Sequence, residues 1–302
     1  MKEPVPRALD GERIDRVLSL LTGLPRSQAA GLLEGGGVRL DGMAVRNRSR
    51  RVREGEVVEV EVPERVDERL APDPAVPVAV VHEDAQFVVV DKPAGVVVHP
   101  GAGQRSGTLV HGLLNRYPEL AAVGEGGRPG IVHRLDKGTS GLLVVARTPE
   151  AYESLVTQMA ARSVDRRYLA LVWGHVEAGR GLVDAPVGRS AADPTRMAVS
   201  ARGRAARTRY EVVERFTEPA ALTLVECRLE TGRTHQVRVH LAAIDHPVVG
   251  DARYGRGRRA LTMSRPFLHA HRLAFDHPTH GRRCRFESQL PADLESVREV
   301  LR

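Results

Sequence analysis

The chain has 302 residues, 42% hydrophobic and 27% charged, a balance suited to a soluble globular protein of one large domain or a small domain joined to a larger one. No apolar run approaches the roughly 18 residues of a membrane span, and Met1-Lys2-Glu3-Pro4-Val5-Pro6 lacks the apolar core of a signal peptide, so a membrane partner is excluded. Two cysteines, Cys227 and Cys284, cannot build a disulfide framework and read as buried reduced thiols of a cytoplasmic protein, while the net charge of +7 favours a polyanionic partner.

Taken in chain order, the first elements form a small module. Ile14, Val17, Leu18 and Leu21 fall at helical spacing, and Pro25 ends or interrupts that helix. A second helix starts at Ser27, carries Ala29, Ala30, Leu32 and Leu33, and runs out in Gly35-Gly36-Gly37. Val38-Arg39-Leu40, Asp41-Gly42 and Met43-Ala44-Val45 have the form of a tight hairpin. Val58, Val60 and Val62 alternate with Glu59 and Glu61, as in a half-buried strand. Arg39, Arg46, Arg48, Arg50, Arg51 and Arg53 make either a solvated surface or a phosphate-contacting patch. Pro63, Pro72, Pro74 and Pro77, mixed with charges, mark a stiff connection. The division expected is a module over 1–65, a linker over 66–78 and a larger domain over 79–302.

Beyond the linker, strand-like segments dominate, over 87–90, 142–146, 168–173, 208–213 and 222–229. Helical spacing appears in Tyr152, Leu155, Val156 and Met159 after Pro149, and in Val237, His240, Leu241 and Ile244 after a cap at Thr234. Short strands with scattered helices predict an α+β fold with a largely antiparallel mixed sheet. Between two apolar runs lies Gly130-Ile131-Val132-His133-Arg134-Leu135-Asp136-Lys137-Gly138, a Gly-punctuated loop that presents one carboxylate between two cations at the lip of a sheet. Of the 45 basic residues only Lys2, Lys92 and Lys137 are lysine. Lys137 stands in that loop and Lys92 in Val90-Asp91-Lys92-Pro93-Ala94-Gly95, two places where a compact ammonium is wanted rather than a guanidinium fork.

The loop closely resembles the catalytic HRLD motif of the RluA family of pseudouridine synthases. Val90-Asp91-Lys92-Pro93-Ala94-Gly95, Asp165-Arg166-Arg167-Tyr168-Leu169-Ala170, Thr231-Gly232-Arg233-Thr234-His235-Gln236-Val237-Arg238, His246-Pro247-Val248-Val249-Gly250-Asp251 and Leu268-His269-Ala270 resemble further family motifs in the family's order. The first module resembles the αL RNA-binding module of a ribosomal small-subunit protein, and with Thr195-Arg196-Met197-Ala198-Val199 it is most similar to the RluD type, which modifies large-subunit ribosomal RNA. Gly138, where Asp is commoner, and Arg167, in place of Lys, depart from the pattern.

The resemblance implies a pseudouridine synthase catalytic domain carrying an amino-terminal RNA-binding module. It also implies the roles. Asp136 is the catalytic carboxylate, Arg233 its ion-pair partner, and Tyr168 the ring against the uracil, whose hydroxyl helps remove the carbon-5 proton. Arg134 fills the vacated stack, with His133 and Lys137 beside the substrate. The reaction is an isomerisation, so no cofactor or metal is demanded. Asp136 either adds to the sugar carbon or removes the neighbouring sugar proton, and both routes stay open. The expected partner is structured RNA, most of all large-subunit ribosomal RNA or its assembly intermediates, bound by a monomer. Two other readings are a non-catalytic RNA-binding or ribosome-assembly protein on the same scaffold, and a metalloenzyme built on the histidines, among them His235, His240, His269, His271, His277 and His280.

Overall fold

A computed structural model describes residues 1–24, 26–61, 70–101, 103–124, 127–255, 257–258, 261 and 263–302. The chain divides into two compact units, Met1–Glu68 and Arg69–Arg302.

In the first unit, helices α1 (Ile14–Thr22) and α2 (Arg26–Glu34) pack on a sheet of β1 (Lys2–Pro4), β2 (Val38–Leu40), β3 (Met43–Ala44) and β4 (Val57–Val60), in the order β1-β4-β2-β3. Ile14, Val17 and Leu18 of α1 close over Val38, Leu40, Val58 and Val60 in one apolar core. The first helix stops at Gly23, whose φ of 68° is the left-handed conformation glycine adopts freely. Pro25, the stop expected from sequence, and Val62, the expected end of the last strand, lie outside the described residues. The hairpin turn holds Asp41 and Gly42 at φ 49° and 79°, the positive pair that a two-residue turn requires. Strand β1 pairs with β4 and has no apolar pattern of its own to announce it.

The second unit is built on a nine-stranded sheet. Its strands are β5 (Val80–Glu83), β6 (Phe87–Lys92), β7 (Ser140–Ala146), β8 (Asp165–Trp173), β9 (Arg180–Asp184), β12 (Arg207–Phe216), β13 (Leu222–Leu229), β14 (Leu268–Asp276) and β15 (Arg283–Glu287). β10 (Val187–Arg189) and β11 (Met197–Val199) form a separate hairpin. The order is β5-β6-β7-β14-β8-β13-β12-β9, with β15 on β14, and every pairing is antiparallel except β7 with β14. The remaining helices are α3 (Leu109–Arg116), α4 (Pro149–Ala160), α5 (Gln236–Ala243) and α6 (Ala292–Glu299). Alternation along β6 sorts the layers. Val88 and Val90 face the core shared with Leu109, Leu113, Val237 and Leu241 of α3 and α5, whereas Phe87 and Val89 face Ala151 and Leu155 of α4. Strand β7, covered on both sides, is buried at every residue, which accounts for its unbroken apolar run.

Residues 70–78, the later part of the expected stiff connection, lie against the larger unit: Leu70 and Val78 pack on its core, and the Asp73 amide donates to His111 O at 3.0 Å. Two expectations need correction. The cap of α5 is His235, in a left-handed conformation (φ 57°), one residue after Thr234. Cys227 is buried, with its thiol pushed up to about 12 by burial, but Cys284 is only half-buried. No helix among the described residues is long and apolar enough to cross a membrane.

Candidate active site

The loop before β7 is tied down at several points. Leu135 is buried, the Thr139 amide donates to Asp136 O at 3.0 Å, and the Gly95 amide donates to Lys137 O at 2.7 Å. Directly after it, Gly141 (φ 116°) lets β14 approach so closely that a side chain would lie 2.3 Å from Ala270 O. Only glycine permits that parallel contact, and it fixes where the loop emerges from the sheet.

Asp136 opens into a pocket of about 480 Å³, lined also by Arg134, Tyr168, Arg233 and Arg238. The size suits a nucleoside-sized group. The first turn of α5 delivers the partner of Asp136, and it is Arg238. Its Nη1 donates to Asp136 Oδ2 at 3.2 Å, while Nε and Nη2 donate to Asp251 Oδ2 and Oδ1 at 2.6 and 2.9 Å. Burial pulls the Arg238 pKa down, but hydrogen bonding and charge from Asp251, then the charge of Asp136, outweigh it and hold the guanidinium above its ordinary value.

Arg233 is not that partner. Gln236, buried at the start of α5, accepts from the Arg233 amide at 3.0 Å and donates to Arg207 O and Thr208 Oγ1. That network turns Arg233 the other way, where Nε donates to Ala205 O at 3.2 Å. Two arginines five positions apart stand in the same motif, and only the cap geometry distinguishes which one meets the carboxylate. Asp251, the second anchor, closes the motif that begins at His246, to which the sequence attached no role.

Tyr168, on β8, is 5% exposed and lines the pocket. Burial raises its pKa, partly offset by Arg166 and reinforced by Asp136, so the phenol is protonated at neutral pH and is a ring to pack against rather than a ready base. Arg134 is exposed at the pocket, with Nη1 3.5 Å from His99 Nε2. His133 also lines the pocket, while its Nε2 accepts from the Val144 amide at 3.1 Å and burial lowers its pKa to about 3. Lys137 is exposed and its side chain lies outside the pocket lining. Arg39, Arg46, Arg48, Arg50, Arg51 and Arg53 of the first unit are all exposed, though Arg50 pairs with Glu56 at 3.3 Å and Arg51 donates to Gly11 O at 2.6 Å.

Lys92, fully buried at the end of β6, donates to Pro93 O and Val96 O at 2.8 Å each and reaches Lys137 O at 3.5 Å. Burial, opposed by Asp136, lowers its pKa to about 7. Between about 7 and its ordinary 10.5 the unfolded chain therefore holds a proton that the folded protein has lost. Folding stability should rise with pH across that window and lose the gain as pH falls back toward 7. Urea titrations at stepped pH check this, because a Lys92→Met variant should lack the rise.

The histidines are dispersed among separate partners: His240 with Thr208, His269 with Ser140, His271 with Glu226, and His277 stacked on His280. Among the described residues no three His, Cys, Asp or Glu side chains group as a metal would need.

With this geometry in place, comparison with known proteins is specific. Residues 86–243 match the family described as RNA pseudouridylate synthase, and residues 12–58 match the S4 domain. The chain is 44% identical to the ribosomal large subunit pseudouridine synthase D of Nitrosomonas europaea, over 99% of this chain and 87% of that one. It is 48% identical to an uncharacterized RNA pseudouridine synthase of Chloroflexus aurantiacus, over 97% and 91%. Among solved structures, human RNA pseudouridylate synthase domain containing 1 aligns with a TM-score of 0.58 at 29% identity, covering 73% of this chain and 86% of that one.

Proposed function

Since the chain belongs to the RNA pseudouridylate synthase family of isomerases, we propose that it converts specific uridines of large-subunit ribosomal RNA to pseudouridine, with Asp136 as the reacting carboxylate. The observation that carries this reading is a carboxylate in a nucleoside-sized pocket, held by a guanidinium that is itself anchored on a buried second carboxylate. The substrate class is supported by the names of relatives such as that of Nitrosomonas europaea and by the S4 domain.

The reaction breaks the bond from ribose C1′ to N1, rotates the uracil and joins C1′ to C5. The C5 proton leaves and N1 gains one, so product and substrate are isomers. Asp136 adds to C1′ and is later displaced by C5, or it removes the C2′ proton and returns it. In either case Arg238 keeps the carboxylate oriented. Tyr168 packs on the loose uracil, and Arg134, exposed at the pocket mouth, takes the place of the extruded base, where a planar guanidinium stacks well. Residues 1–65 act as an RNA-gripping module, 66–78 as the connection and 79–302 as the catalytic body.

The direct test is pseudouridine mapping of ribosomal RNA from cells with and without the protein, paired with tritium release from carbon-5-labelled transcript. A protein that binds the transcript and releases no tritium is a binding protein on this scaffold. Deleting residues 1–65 should weaken transcript binding and flatten its salt dependence by about 0.7–0.9 for each phosphate no longer bound. The single-turnover rate at saturating RNA should change little, because Asp136, Tyr168 and Arg238 all belong to the second unit. A salt titration by filter binding reads the first effect, and quenched tritium release reads the second.

A further inference from the structure

Arg162, Arg166 and Arg233 also line the pocket, and the mechanism above uses none of them. Arg162 follows α4 in a left-handed turn (φ 59°), and its exposed guanidinium makes no hydrogen bond or ion pair among the described residues. Arg166 is 8% exposed beneath Gly232, where an added methyl group would lie 2.8 Å from Nη1. Its buried Nε has no partner among the described residues. Arg233 spends one N–H on Ala205 O. Burial, and after it the nearby charges of Arg204 and Arg162, lowers its pKa. The acid on this side of the pocket is already engaged, since Glu230 pairs with Arg207 at 3.0 Å and Arg209 at 2.6 Å.

Guanidiniums gathered without a free carboxylate repel one another in the empty protein, and a buried donor without an acceptor adds to the cost. An anion with several acceptor oxygens relieves both. A phosphodiester has that chemistry, and the planar fork of arginine fits it bidentately. Gly232 leaves the Arg166 fork uncovered on the pocket side. We infer that Arg162, Arg166 and Arg233 together seat one backbone phosphate of the RNA strand whose uridine enters the pocket, an inference that rests on the pseudouridine synthase reading. The role of Arg233 is then to hold the strand, and that of Arg238 to hold Asp136.

The experiment is filter binding of the full-length protein to a large-subunit ribosomal RNA transcript over a salt series, beside tritium release from the same transcript. In the triple variant Arg162→Gln, Arg166→Gln, Arg233→Gln, Kd at fixed salt should rise about tenfold or more. The slope of log affinity against log salt should flatten by about 0.7–0.9, the value for a single phosphate. An unchanged slope overturns the seat. Flattening by about three times that amount also overturns it, because the arginines would then track three separate phosphates. The double variant Arg162→Gln, Arg233→Gln spares the buried residue and should weaken binding in the same sense while melting no lower than the wild type without RNA, since it removes repulsion. A lower melting temperature with unaltered affinity would make these residues structural and sink the inference. Asp136→Asn should keep the wild-type slope. Should the wild type release no tritium while the triple variant still loses one phosphate of slope, the seat stands and the isomerase reading falls.

Discussion

Asp136→Asn should lower tritium release by about 10³-fold or more, the range for removing a group that does the chemistry itself, while transcript affinity stays near wild type. The amide keeps the shape of the carboxylate and still offers one oxygen to Arg238 Nη1, which lies 3.2 Å from Oδ2. What it loses is the charge that, in the proposed reaction, adds to C1′ or accepts the C2′ proton. Single-turnover quench assays at saturating RNA isolate the step from binding. Substantial turnover by a preparation free of wild-type protein would remove Asp136 from the reaction.

Arg238→Ala acts on fold and chemistry together. The Asp251 side chain is fully buried and both of its oxygens accept from Arg238, so truncation strands a charge without a counterion. Breaking a buried pair from one side costs about 3–5 kcal/mol, readable as a drop in the urea midpoint. Arg238→Lys keeps the charge but cannot span Asp251 and Asp136 with a fork, and should fall between the two. The combination Arg238→Met with Asp251→Asn removes the stranded charge. It should recover much of the stability and none of the activity, because Asp136 still lacks its cation. Recovery of tritium release in that double variant would show that Arg238 matters only for folding.

How far the sequence reaches is clearest where two levels of signal coincide. Strand β13 has the expected bounds, Leu222–Leu229, because its apolar run is bracketed by turns, and α5 follows a 3.6-residue pattern. Strand β14 appears in sequence only as a motif around His269. Its polar residues hide the period, and its place beside β7 depends on a contact with Gly141 more than a hundred positions earlier. At the site, Asp136 and Tyr168 stand in the pocket where their motifs lead one to look. The exchange of Arg238 for Arg233 was not legible, because a left-handed His235 and the hydrogen bonds of Gln236 reverse the chain direction between them. Local spacing carries no information about such a turn. His133 lines the same pocket, and the amide of Val144, on the following strand, holds its ring nitrogen.

The anchoring of the Asp136 loop also decides which molecule must deform during the encounter. Its carbonyls are taken by Gly95, Thr139 and Lys92, Leu135 is sunk in the core, and its exit strand is wedged between β6 and β14. Little on the protein side is left to rearrange when RNA arrives, so the work of opening a helix or a loop falls on the nucleic acid. A uridine that is already poorly stacked, in a bulge, a loop or beside a mismatch, needs less of that work. Selection among the many uridines of a large RNA then follows the compliance of the substrate as much as any reading of its bases.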